Sequence, residues 1–292
     1  MATLLGFAAV VMWALLALLT DLSGTVPPFQ LTAMAFFLAT LVGATSVVTR
    51  GNAGELLRLP AAVWLTGIAG LFGYHFLYFT ALRNAPAVEA SLIAYLWPLL
   101  IVLGSALLPG EKLRWFHVAG ALMALAGAVM LIARQGSIGV DMRYATGYLA
   151  ALGCALTWST YSLVSRRFSG VSSDAVTGFC AATAILSLLC HLAFEQTSWP
   201  ASMGQWLAVA ALGLMPVGAA FYLWDHGVKH GNIQLLGVAS YAAPLLSTLV
   251  LIAAGRAQAT QAVVIACVLI TAGAFVAALD VVGKARKARR RA

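Results

Sequence analysis

Long apolar runs, separated by short polar breaks, make up almost the whole chain. A helix needs about 20 mostly apolar residues to cross the hydrocarbon layer of a membrane. The runs are too long for membrane strands and lack their period-two alternation, so they predict helices. The pattern predicts an all-α membrane protein with ten transmembrane helices, at Thr3–Thr20, Pro28–Thr49, Ala61–Leu82, Ala87–Leu108, Trp115–Ala133, Thr146–Arg166, Ser173–Phe194, Gly204–Asp225, Asn232–Ala254 and Thr260–Leu279.

Composition favours the same class and excludes others. Hydrophobic residues make up 62% of the 292 positions and charged residues 9%, whereas a soluble domain carries about 25% charged residues. So large an apolar excess cannot be hidden in one core, because a soluble domain still needs a polar surface. A soluble enzyme, a nucleic-acid-binding domain and a disordered chain are therefore excluded.

Lys and Arg are divided unequally between the two sets of loops. With a cytoplasmic N-terminus, 13 of the 17 basic residues fall on the cytoplasmic side, six of them in the tail 284–292. Four basic residues fall on the outer side: Arg83, Arg134, Arg143 and Arg256. Cytoplasmic loops carry an excess of Lys and Arg, so we expect both termini in the cytoplasm. The basic tail is expected to contact anionic lipid, at about 1 kcal/mol per residue.

The two halves of the chain resemble each other at an offset of 146 residues. Tyr95-Leu96-Trp97-Pro98 aligns with Tyr241-Ala242-Ala243-Pro244, and Ala126-Gly127-Ala128 with Ala272-Gly273-Ala274. An odd number of spans per half inserts the second half from the opposite side, which predicts two inverted five-helix repeats. They are expected at 1–136 and 145–283, with an inter-repeat loop at 137–144 and the basic tail at 284–292. Chance similarity among apolar helices is the alternative explanation.

The order of these features resembles that of a known transporter family. Ten spans, the repeat, and Pro98 followed by Gly110-Glu111-Lys112-Leu113 are similar to the EamA-type drug/metabolite transporters. The segments Tyr74-His75-Phe76-Leu77-Tyr78 and Tyr95-Leu96-Trp97-Pro98 resemble the bacterial exporters of aromatic amino acids. Gly255-Arg256-Ala257 departs from the family pattern, so the two halves need not form a symmetric site. The resemblance implies a multi-pass inner-membrane protein that exports amino acids, with Phe, Trp and Tyr favoured, by alternating access.

Ionisable residues inside the spans are few. A charge at the middle of a membrane helix costs roughly 2.5–3.5 kcal/mol or more, and His75 is the ionisable residue predicted near mid-span. Asp225 is predicted at the end of its span, and no carboxylate is expected at mid-depth. Facilitated diffusion of a zwitterion is therefore the simpler mechanism, while a proton step through His75 is the alternative. A histidine that only packs against a neighbouring helix is the other interpretation.

Aromatic residues predicted at mid-membrane are candidates for a substrate pocket. Tyr74 and Tyr78, four residues apart, share a helix face that His75 adjoins. Three polar-tipped rings are costly at this depth unless they face a cavity or partners. Trp97 and Trp158 are predicted to wall a ring-sized pocket, which suits an aromatic side chain and also an organic cation.

Pro98 and Pro244 occupy the same place in a Tyr-x-x-Pro pattern in both halves. Each is expected to free the helix carbonyl four residues earlier, on Ala94 and Ser240 respectively. Such carbonyls are tolerated at mid-membrane where they line a cavity, and could accept from a substrate ammonium group. A kink satisfied by packing is the alternative. Further candidates are Trp13, as part of the same pocket wall, and the polar-tipped or hydroxyl residues Tyr95, Tyr222, Ser240 and Tyr241. The resemblance implies a cavity lined by spans one, three, four, six, eight and nine, and all of these candidates fall on those spans.

Other functional classes lack their sequence signals. The chain has no Walker A motif, no HExxH motif and no clustered His and Cys set, so we expect no cofactor and no metal. We expect a transporter rather than an enzyme, with no nucleic-acid partner and with a monomer as one compatible state. Two alternatives stay open: a carrier for another metabolite or a hydrophobic cation, and, more distantly, an intramembrane enzyme acting on lipid with His75 as its base.

Overall fold

Helices make up the structure, a computed structural model that describes residues 1–133 and 141–279. Those two ranges contain no strand. A short helix at Ala53–Leu57 joins the second long helix to the third, and a 3-10 turn at Met142–Tyr144 precedes the sixth. The long helices in chain order are α1 Ala2–Leu22, α2 Pro28–Arg50, α3 Ala61–Asn84, α4 Ala87–Leu107, α5 Trp115–Ala133, α6 Ala145–Arg167, α7 Ala175–Phe194, α8 Met203–His230, α9 Ile233–Ala253 and α10 Gln261–Ala277.

Eight of these helices, α1 to α5 and α7 to α9, are long and apolar enough to cross a membrane. Of the other two, α6 has 23 residues but carries several hydroxyl side chains in its second half, and α10 has 17 residues. The helices agree with the predicted all-α membrane class. The predicted tail 284–292 and residues 137–140 of the predicted inter-repeat loop lie outside the described residues.

Proline, glycine and short polar side chains set the helix ends. Pro28 is the first residue of α2, where the missing N–H of proline costs no hydrogen bond. The same helix ends before Gly51, whose φ of 71° lies in the left-handed region that glycine adopts readily. Asn232 Oδ1 accepts a hydrogen bond from the Leu235 N–H at 2.9 Å and caps the start of α9. Because such signals are local, each predicted start lies within about two residues of the observed one.

Two helices contain a wider π-helical turn at matching positions. In α3 this turn covers Ala69–Gly73, and in α8 it covers Met215–Ala219, which is 146 residues further along the chain. The turn that interrupts α4 includes Tyr95, and the turn that interrupts α9 includes Tyr241, again at the same offset. α1 is interrupted after Trp13. The offset seen in the sequence therefore recurs in the irregular parts of the helices.

One end of the helix bundle is held by Arg166, near the end of α6, and we call it the Arg166 face. Arg166 Nη1 donates to the carbonyls of Val228 at 2.9 Å and Gly231 at 2.8 Å, at the end of α8. Its Nη2 pairs with Glu111, which follows α4. Glu111 also accepts from Gln234 Nε2, at the start of α9, at 3.1 Å. One guanidinium group thus joins α4, α6, α8 and α9.

The first helix begins at the same face at which α6 ends. The Asn232 N–H, next to the carbonyls held by Arg166, donates to Thr3 Oγ1 at 3.0 Å. The start of α6 lies at the opposite end, where the Tyr148 hydroxyl donates to Glu89 Oε2 at 3.1 Å near the start of α4. α1 and α6 therefore run in opposite directions through the bundle.

The opposite end is held by Glu195, which follows α7, and we call it the Glu195 face. Its carboxylate accepts from the N–H groups of Phe29 and Gln30 at 3.1 Å, where the helix dipole of α2 favours negative charge. The same carboxylate pairs with Arg83 Nη2 at 3.0 Å, from the end of α3, and with His191 Nδ1 at 3.1 Å. A single buried carboxylate thus joins α2, α3 and α7.

Two glycines bring α5 and α10 closer together than side chains would allow. A Cβ atom at Gly120 would lie under 3.0 Å from the carbonyl oxygen of Gly273, and a Cβ atom at Gly273 would meet the carbonyl oxygen of Gly120 in the same way. Small residues permit such close packing of membrane helices. With buried residues of α9, this helix pair forms a second hydrophobic core beside the main one.

Candidate functional site

Four tryptophan side chains meet where α1, α4, α6 and α8 converge, and we call Trp13, Trp97, Trp158 and Trp224 the tryptophan cluster. The Trp158 ring lies edge-on to Trp13 at 5.7 Å and to Trp97 at 6.3 Å, and stacks on Trp224 at 6.1 Å. Each such pair adds about 0.5–1.5 kcal/mol beyond burial. Trp97 and Trp158 are 5% and 4% exposed, so they lie inside the bundle rather than in an interfacial belt.

Hydrogen bonds fix the orientation of this cluster. Trp224 Nε1 donates to Ser162 Oγ at 3.1 Å, and that hydroxyl donates to the carbonyl of Trp158 at 3.0 Å. Trp13 Nε1 donates to the carbonyl of Pro216, in the π turn of α8, at 3.0 Å. The cluster is therefore tied to the irregular part of α8 as well as to α6.

A polar wall of Tyr74, His75 and Tyr78 lies against the cluster, on the half of α3 that follows its π turn. Tyr74 lies 5.5 Å from Trp158 and stacks on Tyr78 at 6.1 Å with the ring planes 8° apart. The Tyr78 hydroxyl lies 3.4 Å from Ser91 Oγ of α4. The three wall residues are partly exposed, whereas Trp158 is buried. Tyr74 and Tyr78 do share a face, as their spacing predicts.

His75 is surrounded by rings. Its Nδ1 lies 2.7 Å from the Leu71 carbonyl oxygen, and because a carbonyl only accepts, that nitrogen carries the proton. The imidazole meets Phe36 edge-on at 5.2 Å and Phe221 at 6.4 Å. Among the described residues, no group of three His, Cys, Asp or Glu side chains could hold a metal ion.

The two interrupted helices α4 and α9 contact each other through Tyr241. Its hydroxyl accepts from the Leu99 N–H at 3.1 Å, just after α4 restarts at Trp97. The first N–H groups of a helix lack partners within it, so this phenol caps the restarted helix. Tyr241 is fully buried and Pro98 is buried, whereas Tyr95 is partly exposed and packs against the same core as Tyr241.

Ser240 and Pro244 make their hydrogen bonds within α9. Ser240 Oγ donates to the Leu236 carbonyl at 2.7 Å, and the Pro244 carbonyl accepts from Thr248 Oγ1 at 2.8 Å. The Ser240 carbonyl accepts from the Ala243 N–H at 3.1 Å. The prediction of a free Ser240 carbonyl is therefore wrong, because the chain tightens at the break and supplies a donor three residues on instead of four.

Tyr222 points away from the tryptophan cluster. Its hydroxyl lies 3.2 Å from the Ala39 carbonyl oxygen and 3.2 Å from Thr177 Oγ1, so it braces α8 against α2 and α7. The neighbouring Phe221 faces the cluster instead, with its ring 5.6 Å from Trp158. Adjacent helix positions point about 100° apart, which is why only one of the two rings reaches the cluster.

Asp225 lies inside α8 rather than at its end. The helix continues beyond the predicted end and stops at His230. Asp225 is 1% exposed, and one turn later Lys229 places its Nζ 2.7 Å from the Asp225 carboxylate. The predicted position of Asp225 at the end of a span is therefore wrong. Its pairing with Lys229 allows both charged side chains to remain within a buried helix.

Trp224 and Phe221 belong to the site although the sequence analysis does not select them. Trp224 stands next to Asp225 near an expected span end, where tryptophan is typical of the membrane interface. The offset of 146 residues is the signal that would have found both. It pairs Phe221 with His75 and Trp224 with Tyr78.

Comparison with known proteins gives the family. The model of the EamA-like transporter family matches residues 1–133 and 145–279. The chain is 57% identical over 279 residues to the aromatic amino acid exporter YddG of Ancylobacter novellus, covering 95% of this chain and 97% of that protein. It is 28% identical over 261 residues to the aromatic amino acid exporter YddG of Salmonella typhimurium, covering 85% and 86%.

A solved crystal structure has the same fold. It is 56% identical in sequence, superposes with a TM-score of 0.90, and the match covers 95% of this chain and 97% of the other. Together with the family match on both sides of residues 134–144, this likeness extends over nearly the whole chain. The chain therefore belongs to the EamA-like transporter family.

Proposed function

We propose that this transporter exports aromatic amino acids across the bacterial inner membrane by alternating access. The observation that carries the proposal is the tryptophan cluster with its wall of Tyr74, His75 and Tyr78 inside a bundle of apolar helices. Two relatives named as aromatic amino acid exporters support the same substrate class.

The side chains match an amino acid that carries a ring. Indole and phenol faces offer stacking to the ring of Phe, Trp or Tyr. The hydroxyls of Tyr74, Tyr78 and Tyr95 offer hydrogen bonds to its polar groups. We assign direct substrate contact to these three tyrosines with His75, Trp97 and Trp158. In this proposal the remaining candidates shape the pocket: Pro98, Ser240, Tyr241 and Pro244 at the helix breaks, and Tyr222 as a brace.

The architecture that we infer is ten membrane spans in two inverted five-helix halves. Both π turns and both interrupting tyrosines recur at the offset of 146 residues, which supports a repeat. The opposite directions of α1 and α6 support its inversion. We assign the halves to 1–136 and 145–283, and count α6 and α10 as spans. Inverted halves can exchange shapes and so open a central site to either side in turn.

Alternating access needs a closure at each end, and the two faces offer one each. Arg166 with Glu111 joins four helices at one face, and Glu195 with Arg83 joins three at the other. Since the α3 wall is partly exposed while Trp224 is fully buried, the halves do not stand in identical arrangements. Both closures are formed in this structure, so transport then consists of opening them in turn.

Facilitated diffusion is the mode of transport that we propose. Asp225, the carboxylate beside the cluster, is paired with Lys229, so the described pocket region carries no unbalanced acidic charge. A zwitterion also carries no net charge, so its passage needs no compensating ion.

Orientation follows from the basic residues. Arg166, Lys229 and Arg50 lie at the Arg166 face, so we place that face and both termini in the cytoplasm. The tail 284–292 then meets anionic lipid of the inner leaflet. A monomer contains all the residues used in the proposed pathway.

Proteoliposomes test the proposal directly. Vesicles that contain the purified protein and labelled phenylalanine or tryptophan should release the label. Trp97→Ala and His75→Ala should lower the rate at least about tenfold, equivalent to about 1.4 kcal/mol. Trp115→Ala is the matched control, because that indole is 75% exposed at a helix start and should not affect transport. Absence of release by folded wild-type protein rejects the proposal.

A carrier for hydrophobic organic cations is the competing function, because tryptophan faces also attract cations. Competition in the same vesicles separates the two. A hydrophobic cation that blocks phenylalanine release completely, and is itself transported faster, would favour this second function.

A further inference from the structure

A buried ion pair adjoins the tryptophan cluster on the side of the Arg166 face. Asp225 Oδ2 lies 2.7 Å from Lys229 Nζ, and these side chains are 1% and 3% exposed. Ser173 Oγ donates to the same carboxylate at 2.6 Å, and Lys229 Nζ donates to the Val171 carbonyl at 3.0 Å. Both charges therefore have partners in this arrangement.

This pair has a cost that packing alone does not explain. Removing two charges from water is often not repaid by their mutual attraction, and apolar residues of similar size can do as well. Ionisable residues within membrane helices therefore mark functional positions by default. Tyr161 connects the pair with the cluster, since its hydroxyl lies 3.5 Å from Asp225 Oδ1 and its ring 5.1 Å from Trp158. A small cavity between α3, α6, α7 and α8 borders both charged residues.

The offset of 146 residues shows where the pair stands in the second half. Tyr74–Asn84 and Ala220–His230 are both 11-residue half-helices that follow a π turn. Tyr78 and Trp224 are each the fifth residue of their half-helix, so they correspond to each other. The ion pair therefore begins directly after the residues of α8 that correspond to the partly exposed wall of α3. When inverted halves exchange shapes, the half-helix Ala220–His230 becomes the exposed wall at the Arg166 face.

We propose that Asp225 and Lys229 are the specificity-determining residues that receive the zwitterionic end of the substrate at the Arg166 face. The Asp225 carboxylate accepts the substrate ammonium group, and the Lys229 ammonium group binds the substrate carboxylate. Trp224, which precedes Asp225 in α8, contacts the aromatic ring of the substrate. In the closed arrangement the two side chains satisfy each other. This inference rests on the proposed function and adds which groups recognise the two charges.

The pairing predicts a preference for zwitterions over singly charged analogues. A zwitterion supplies a partner for each member of the pair when the two separate. Phenylethylamine lacks the carboxylate and 3-phenylpropionate lacks the ammonium group, so each would leave one buried charge without a partner. A site built to bind a polar group rejects strongly an analogue that lacks it.

Competition in proteoliposomes with the full-length protein tests the inference. The Asp225→Asn/Lys229→Gln double variant keeps polar side chains of similar size and removes both charges. Release of phenylalanine should slow, and the preference for phenylalanine over phenylethylamine and over 3-phenylpropionate should fall at least about tenfold. The control is Asp21→Asn/Arg256→Gln, which removes the exposed ion pair beyond the other end of the bundle and should leave the preference unchanged.

The outcomes separate the two proposals. Wild-type protein that does not transport phenylalanine overturns the proposed function and this inference with it. A double variant that transports more slowly but keeps the wild-type preference overturns this inference alone and assigns the pair a structural role. If the double variant does not fold, the single variant Asp225→Asn replaces it. That variant removes the group assigned to the substrate ammonium and keeps Lys229, so the preference over 3-phenylpropionate should fall while the preference over phenylethylamine stays. An unchanged preference over both analogues would overturn the inference.

Discussion

The indole N–H of Trp13 donates a 3.0 Å hydrogen bond to the carbonyl of Pro216, from α1 to the π turn of α8. A π turn displaces carbonyl groups from regular helix bonding, and such turns are frequent at functional sites. This bond therefore joins Trp13, in the first half of the chain, to the irregular segment of α8 in the second half.

Trp13→Phe should keep a ring in the cluster and lose this bond. We expect a loss of about 1 kcal/mol in the free energy of unfolding, together with slower transport because the π turn is no longer held by α1. Thermal unfolding in detergent and release of labelled phenylalanine measure the two effects. Trp199→Phe, at an exposed ring outside the cluster, is the control and should leave both unchanged.

Tyr241→Phe should destabilise the protein more than Tyr95→Phe. The first change removes the acceptor of the Leu99 N–H at 3.1 Å and leaves a buried donor unsatisfied, which costs about 1–3 kcal/mol. The second removes a hydroxyl from a partly exposed ring at the matching position. Unfolding midpoints of the two variants give the comparison. Equal midpoints would show that the phenol of Tyr241 does not cap α4.

Arg166→Gln should weaken the closure at the Arg166 face. The variant loses the pairing with Glu111 and bonds to carbonyls at the end of α8. Hydrogen bonds to charged groups contribute about 1.5–3 kcal/mol each, less where water reaches them, so we expect a loss of about 2 kcal/mol. Chemical unfolding measures it. The neighbouring Arg167→Gln, which loses one bond from an exposed side chain, should cost much less, and a similar loss in both would contradict the expectation.

Asp141 provides a test of pH dependence outside the spanning helices. Its carboxylate accepts from Arg143 Nε at 2.8 Å and from the Arg143 N–H at 2.9 Å, and these bonds lower the pKa of Asp141 below its ordinary value of 3.8. A carboxyl group with a lowered pKa stabilises the fold above its unfolded pKa, and this contribution is lost as the pH falls through the folded pKa. Carbon NMR of the labelled carboxyl should show a midpoint below 3.8 that rises in Arg143→Ala. A midpoint at or above 3.8 in the unmutated protein would be the contrary result.

Gly120→Ala should separate α5 from α10. The added methyl group meets the Gly273 carbonyl oxygen, which is backbone and cannot rotate away. Overpacking of this kind costs about 1–3 kcal/mol, so the unfolding temperature should fall. Gly54→Ala is the matched control, because nothing lies within 4 Å of a Cβ atom there and alanine in a helix restricts the unfolded chain. An unchanged unfolding temperature in Gly120→Ala would contradict the close approach.

Features that depend on neighbouring residues could be predicted from the sequence. Pro28 and Trp115 begin helices where they were predicted, because proline and the end of a polar break act locally. The shared face of Tyr74 and Tyr78 follows from helix periodicity alone. The placement of Trp97 and Trp158 in one cluster follows from their depth, and the structure adds their contact.

Features that depend on partners distant in sequence could not be predicted in this way. The negative charge of Asp225 predicts a position at the end of a span. Only the structure shows that Lys229 neutralises this charge within the helix. In the sequence, Tyr222 looks like a pocket residue because it is aromatic and lies on a span of the expected cavity. Only its contact with Thr177 shows that it faces the other side of α8. The Ser240 carbonyl accepts a hydrogen bond from the Ala243 N–H because the chain tightens locally. No side-chain pattern in the sequence predicts that tightening.

The π turn at Ala69–Gly73 adds one residue to α3 with little change in the direction of the side chains beyond it. An α-helix rotates about 100° for each residue, and a π turn takes up one residue more than the α-helical turn that it replaces. Deleting a single glycine there would restore a regular helix and leave Tyr74, His75 and Tyr78 close to their present angle. The same one-codon deletion in α6, which is a regular helix from Ala145 to Arg167, would rotate every residue beyond it by about 100°, so the two helices of this site differ in their tolerance of a lost residue.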